Sequence, residues 1–157
     1  PMLWDIRVAA QDAKLGFVFN RRGFLPEGNS LWLLSRLVGA SIALELLLTG
    51  RTFSGREAAE MRLVSRALPA EDVLAAAQAI GRDIAENTAP ASTAITKRLF
   101  YAQLESSDRL ASRAEELDFV QWVMQQPDFR EGMAAFREKR AARWTGTRLD
   151  DLPAGLR

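Results

Sequence analysis

The chain has 157 residues, 48% apolar and 26% charged, with a net charge of +1: a globular composition, long enough to bury a core of its own. It contains no histidine and no cysteine. That removes His-based triads, disulfides, thiolate chemistry and the commonest metal ligands, so acid–base work falls to carboxylates, lysines, the one tyrosine or backbone groups.

A metal centre is therefore not expected. Nucleic-acid binding is not expected either, because no basic run is interleaved with aromatics and the net field is weak. No apolar run approaches the ~20 residues that span a bilayer, so no membrane contact is expected. The lack of cysteine suits a reducing compartment, and the expected location is cytoplasmic. The opening Pro1-Met-Leu-Trp-Asp5 enters an apolar segment at once, as a chain beginning in mid-fold would.

In chain order, Met2 to Ala10 predicts a strand and Lys14 to Phe19 a second short one. A loop with Gly23 and Pro26 leads into a helix starting near Gly28 and running from Asn29 to Leu37, whose Leu31, Leu34 and Leu37 share a face. Gly39 ends it. Ser41 is the expected cap of a helix running from Ile42 to Leu48 and closed by Thr49-Gly50. Arg51 to Phe53 is extended, and Ser54-Gly-Arg-Glu57 has the form of a capping box. Leu63 to Leu68 predicts a last strand, stopped by Pro69.

The remainder reads as helical. Val73, Leu74, Ala77, Ile80 and Ile84 form one stripe, and Thr88 with Pro90 opens a helix carrying Ile95, Leu99 and Ala102. From Ser107 the spacing predicts a helix with Leu110, Ala114, Leu117, Val120 and Met124 facing a core. Pro127-Asp-Phe-Arg-Glu131 reads as a second capping box, followed by Phe129, Met133 and Phe136 on one face. Phe100, Phe119 and Trp122 lie beyond any single stripe, which points to subunit contacts. A loosely ordered tail is expected from Thr145 to Arg157. The organisation is thus residues 1–68 as a β/α core, 69–145 as a helical region and 146–157 as a tail.

One carboxylate stands out. Glu27 sits where the loop meets the first helix, with Phe17, Phe19, Phe24, Leu25 and Trp32 near it in sequence. Large apolar neighbours desolvate a carboxyl group, favour its neutral form and bring proton transfer within reach near neutral pH. The competing reading is an exposed acid in the first helical turn, where the helix dipole welcomes negative charge. Trp4 and Trp32 read as core. Arg21 and Arg22 read as loop-solvating charges, and Glu45 as a surface or structural residue.

The blocks Asp5-Ile-Arg-Val-Ala-Ala10, Asp12-Ala-Lys-Leu-Gly-Phe17, Arg22-Gly-Phe-Leu-Pro26, Arg36-Leu-Val-Gly39, Glu45-Leu-Leu-Leu-Thr-Gly50, Ala58-Ala-Glu-Met-Arg-Leu-Val64 and Phe129 to Arg140 occur in an order that resembles the C-terminal part of the crotonase superfamily, the enoyl-CoA hydratases and isomerases. The resemblance covers about residues 3–145. It implies an α/β fold: a truncated spiral β/α core followed by C-terminal helices that build homo-trimers, often paired into hexamers. It implies an acyl-CoA thioester as substrate, with coenzyme A entering as part of that substrate and no separate cofactor. The family's N-terminal half, which carries the CoA-holding loop and the oxyanion-hole N–H donors, is expected to lie outside this chain.

Two positions bear on the reaction the resemblance implies. Phe19 stands where hydratases carry a catalytic Glu after the glycine matching Gly16. Glu27, in Pro26-Glu27-Gly28 followed by Ser30, stands where Δ3,Δ2-enoyl-CoA and dienoyl-CoA isomerases hold a catalytic acid. Double-bond isomerisation with Glu27 as proton shuttle is the reaction expected. The alternatives are hydration with an acid from the other half, and a module serving only oligomerisation and CoA contact. Phe136 and Lys139 match family positions that approach the adenine and phosphate end of CoA. Their competing readings are a core stripe and a basic helix end.

Overall fold

A computed structural model describes residues 4–146, with four short strands and seven α-helices among them. The strands are β1 (Val8–Ala10), β2 (Lys14–Gly16), β3 (Thr52–Ser54) and β4 (Arg66–Leu68). The helices are α1 (Ser30–Val38), α2 (Ala40–Thr49), α3 (Gly55–Glu60), α4 (Ala70–Asn87), α5 (Pro90–Glu105), α6 (Arg109–Met124) and α7 (Pro127–Glu138). The chain divides into two compact units between Gly81 and Arg82, within α4.

In the first unit β1 pairs in parallel with β4, Ala9 opposite Ala67, and β2 pairs antiparallel with β3, Leu15 opposite Phe53. All four strands have three residues, shorter than the apolar runs predict, because pairing partners among these residues end there. The core gathers Leu34 of α1, Ala43, Leu46 and Leu47 of α2, Phe53, Ala58, Leu63 and Val64. Leu34 and Leu46 are completely buried. Burial of two such leucines contributes roughly 1.5–3 kcal/mol each and fixes α1 against α2.

The connections are local and specific. Ser54 and Glu57 form the expected capping box: the Glu57 N–H donates to Ser54 Oγ at 3.1 Å and the Ser54 N–H to Glu57 Oε2 at 2.8 Å. Gly50 ends α2 at φ 57°, the left-handed geometry that glycine adopts freely. Gly55 opens α3 directly over the end of β1, where a Cβ would lie 1.9 Å from the Ala10 carbonyl oxygen. Only glycine fits there.

Other expectations change. Ser41 caps nothing: α2 starts two residues earlier than expected, at Ala40, with Gly39 before it and no side-chain cap. Trp4 is exposed rather than core. Along α4 the half-buried residues are Val73, Ala76, Ile80 and Ile84, while Leu74 and Ala77 face outward.

In the second unit Ala91, Ile95 and Leu99 of α5 pack with Phe119 of α6, flanked by Trp122 and Val123. This reverses the face expected for α6. Leu110, Leu117, Val120 and Met124 are exposed, because Phe119 and its neighbours meet α5 instead. The α6 start is capped by Asp108, whose carboxylate accepts the N–H groups of Leu110 and Ala111. The second capping box does not form. Asp128 turns inward, only 3% exposed, and accepts from the Thr145 N–H, the Thr145 hydroxyl and the Gly146 N–H. Glu131 instead pairs with Arg140 and accepts the Arg143 N–H. Thr145 and Gly146 are therefore tied down, and the rest of the expected tail lies outside the described residues.

Candidate functional site

The Glu27 loop is built from β2 outward. After β2, Phe17 stacks on Phe53 with ring centroids 6.1 Å apart, and the chain turns through a 3-10 segment at Asn20–Arg22. The Phe19 carbonyl accepts N–H bonds from Arg22 and Phe24, and the two phenylalanine rings lie 6.3 Å apart. Arg21 reaches across to donate from Nε to the Thr49 carbonyl at 2.7 Å, its stem lying over Gly50. Its role is thereby structural, holding the turn to the end of α2.

Pro26 is buried between two exposed neighbours, Leu25 and Glu27, and so anchors the loop. From Glu27 the chain makes a tight turn. Gly28 (φ 63°) and Asn29 (φ 59°, ψ 19°) are both left-handed, and the Ser30 N–H donates to the Glu27 carbonyl at 3.2 Å. That is the type I′ pattern, which glycine and asparagine accept most readily. α1 then begins with no side-chain cap. The Ser30 hydroxyl, on a residue 2% exposed, has no hydrogen-bond partner among the described residues.

Within this chain the Glu27 side chain is exposed, and the apolar residues flanking it are exposed too: Phe24 at 57% and Leu25 at 71%. The expected desolvation is therefore not supplied by these residues. Phe19 is half-buried, and Trp32 is half-buried under the Arg36 guanidinium, 3.7 Å from its ring centroid. What the loop does present is one exposed carboxylate on a hydrogen-bonded turn, close in sequence to the exposed Phe24 and Leu25.

Glu45 has the structural role expected of it. Arg51 donates to Glu45 at 2.8 Å and to Glu57 at 3.0 Å. The backbone donor at Ser54 and then Arg51 hold the Glu57 carboxyl below its ordinary range. This network ties the end of α2 to the start of α3.

Phe136 and Lys139 belong to the second unit and come together at the end of α7. Phe136 is 82% exposed, so it does not continue a core stripe. Lys139 is the left-handed cap of α7 (φ 52°), exposed and without an ion pair among the described residues. Beside it, Arg140 bonds both oxygens of Glu131 at 2.6 and 3.0 Å, which pulls the Glu131 carboxyl down to about 2. An open apolar groove of about 480 Å³ runs between α5 and α6, lined by Ile95, Leu99, Phe100, Val120 and Phe129. Among the described residues no group of acids could hold a metal, and no helix is long and apolar enough to cross a membrane.

The chain as a whole is similar to known proteins. The family model for enoyl-CoA hydratase/isomerase matches residues 1–147, and the chain belongs to this family of the crotonase superfamily. A relative named "Enoyl-CoA hydratase ACTT3", from Alternaria alternata, is 34% identical over 97% of this chain and 51% of its own length. "Probable enoyl-CoA hydratase echA8" from Mycobacterium bovis is 37% identical over 92% of this chain and 55% of its own. The crystal structure of a probable enoyl-CoA hydratase/isomerase from Mycobacterium abscessus superposes with a TM-score of 0.89 at 40% identity. It is matched over 93% of this chain and 57% of that one. The chain spans about half the length of the curated relatives it matches.

Proposed function

We propose that the full-length protein shifts the double bond of an enoyl-CoA thioester, with Glu27 taking a proton from one carbon and returning it two carbons along. The observation that carries this reading is the pair Phe19 and Glu27. The half-buried phenyl ring at the position expected for a hydratase Glu cannot activate water, while a carboxylate stands on the turn that follows. One carboxylate serves both proton transfers if bulk water is kept away.

The exposed Phe24 and Leu25 flank Glu27 and would exclude water once covered by the remainder of the fold. The enolate oxygen requires N–H donors, worth several kcal/mol, and the resemblance assigns these to the half of the relatives that this chain does not span. Phe136 and Lys139 are suited to the CoA end of the substrate, an aromatic face beside an ammonium with no ion pair among the described residues. Assembly into trimers or hexamers is supported by the exposed apolar faces of α6 and α7. The location proposed is cytoplasmic.

Supplying the full-length protein with a 3-enoyl-CoA and, separately, a 2-enoyl-CoA tests the reading. Conversion of the first to the 2-enoyl isomer is expected to outpace hydration of the second. Faster hydration overturns it. Hydration using an acid from the other half is the second reading, favoured by the hydratase names of the relatives.

A further inference from the structure

We propose that Asn29 is a positioning residue for Glu27: the two left-handed residues Gly28 and Asn29 form a turn that fixes where the carboxylate stands. The inference rests on the proton-shuttle reading of Glu27 and goes beyond it by naming what aims the acid.

Two consecutive residues, Asn29 and Ser30, forgo what local chemistry offers. Gly28 and Asn29 have φ of 63° and 59°, and Asn29 is one of three non-glycine residues with positive φ among those described. Position 29 could supply the first-turn cap that asparagine ordinarily gives a helix, yet its side chain makes no such bond. Ser30 buries a hydroxyl with no partner. The forgone cap and the buried hydroxyl are local costs that the surrounding packing must offset. Pro26 is buried on one side, and Leu34, fully buried one turn into α1, pins the other. Between these two anchors the turn 27–30 closes with the Ser30 N–H on the Glu27 carbonyl. The only freedom left to Glu27 is its own side chain.

A helix entered in the ordinary way, with an extended residue at position 29 and its side chain bonded to the first turn, would send the chain before it in another direction. Asn29 thus acts through backbone conformation, without touching the substrate. Proton transfer requires the carboxylate within about 3 Å of the carbon hydrogens, so a small swing of the turn lowers the rate while leaving the binding surface intact.

The test compares Asn29→Ala, Asn29→Gly and Glu27→Gln in the full-length protein, assayed by conversion of a 3-enoyl-CoA. Asn29→Ala is expected to lower kcat at least tenfold with KM changed less than threefold. Asn29→Gly, which accepts the same φ, is expected to rescue most of that loss. If Glu27→Gln abolishes turnover while Asn29→Ala leaves kcat unchanged, the positioning role alone is overturned. If Asn29→Gly is as slow as Asn29→Ala, the side-chain amide matters rather than the turn, and the inference fails. A loss that tracks only the folded fraction, with kcat per folded molecule unchanged, also overturns it. Undiminished turnover in Glu27→Gln removes the shuttle and this inference with it.

Discussion

Ser30 illustrates how a single atom can be costly and retained. Its hydroxyl is buried with no partner, next to the turn that carries Glu27. Replacing such a group by a methyl removes an unmet hydrogen-bonding demand. Ser30→Ala is therefore expected to leave stability unchanged or raise it by about 1 kcal/mol, measured by chemical denaturation. A loss of similar size would reveal a partner for the hydroxyl. Glu131 makes the opposite case. Two oxygens bound by Arg140 and the Arg143 N–H hold its carboxyl at about 2 in the folded chain. A folded value below the unfolded one means the carboxylate's contribution is complete above about pH 4.5 and is lost as pH falls toward 2. Thermal unfolding of Glu131→Gln and the parent should differ at pH 6 and converge near pH 2. A difference that persists in acid contradicts the ion pair.

Elements were legible in the sequence wherever their determinants are local. The box at Ser54 and Glu57 lies within four residues, and Gly50 marks a helix end by itself. Pro127 to Glu131 carries the same signature and folds otherwise, because Asp128 finds its partners 17 and 18 residues downstream. Nothing nearby in the sequence announces them. Helical spacing located α6 but could not say which of its apolar faces is covered. Phe119, Trp122 and Val123 meet α5, and Leu117 and Val120 are left outside at 43% and 44%. Helical spacing opens α1 near Gly28 with Asn29 inside it, but both residues are left-handed and form a turn, so the helix starts at Ser30. At this scale two substitutions are informative. Gly55→Ala forces a methyl group onto the Ala10 carbonyl and should cost about 3 kcal/mol in denaturant unfolding, whereas a neutral result would mean α3 can slide off β1. Leu117→Glu with Val120→Glu should lower the sedimentation coefficient of the oligomer proposed above while leaving helix content intact. Unchanged sedimentation would remove α6 from the subunit interface.

At the scale of the whole molecule, membership of the enoyl-CoA hydratase/isomerase family follows from a match along nearly the entire chain, and the chain spans about half of each relative. Glu27 stands exposed within these residues, and the proton-shuttle role proposed for it requires walls that the proposal places in the half of the relatives this chain does not span. The candidate acid was legible because Pro26-Glu27-Gly28 is a local pattern. The desolvation expected from its apolar sequence neighbours is not found among these residues, since burial is a property of everything that packs over a loop. The most direct test is the rate of the 3-enoyl to 2-enoyl shift in full-length Glu27→Gln. The account predicts a fall in kcat of about 10²–10⁴ with KM nearly unchanged, the loss of a proton-transferring group. A variant that moves the double bond as fast as the parent would contradict it.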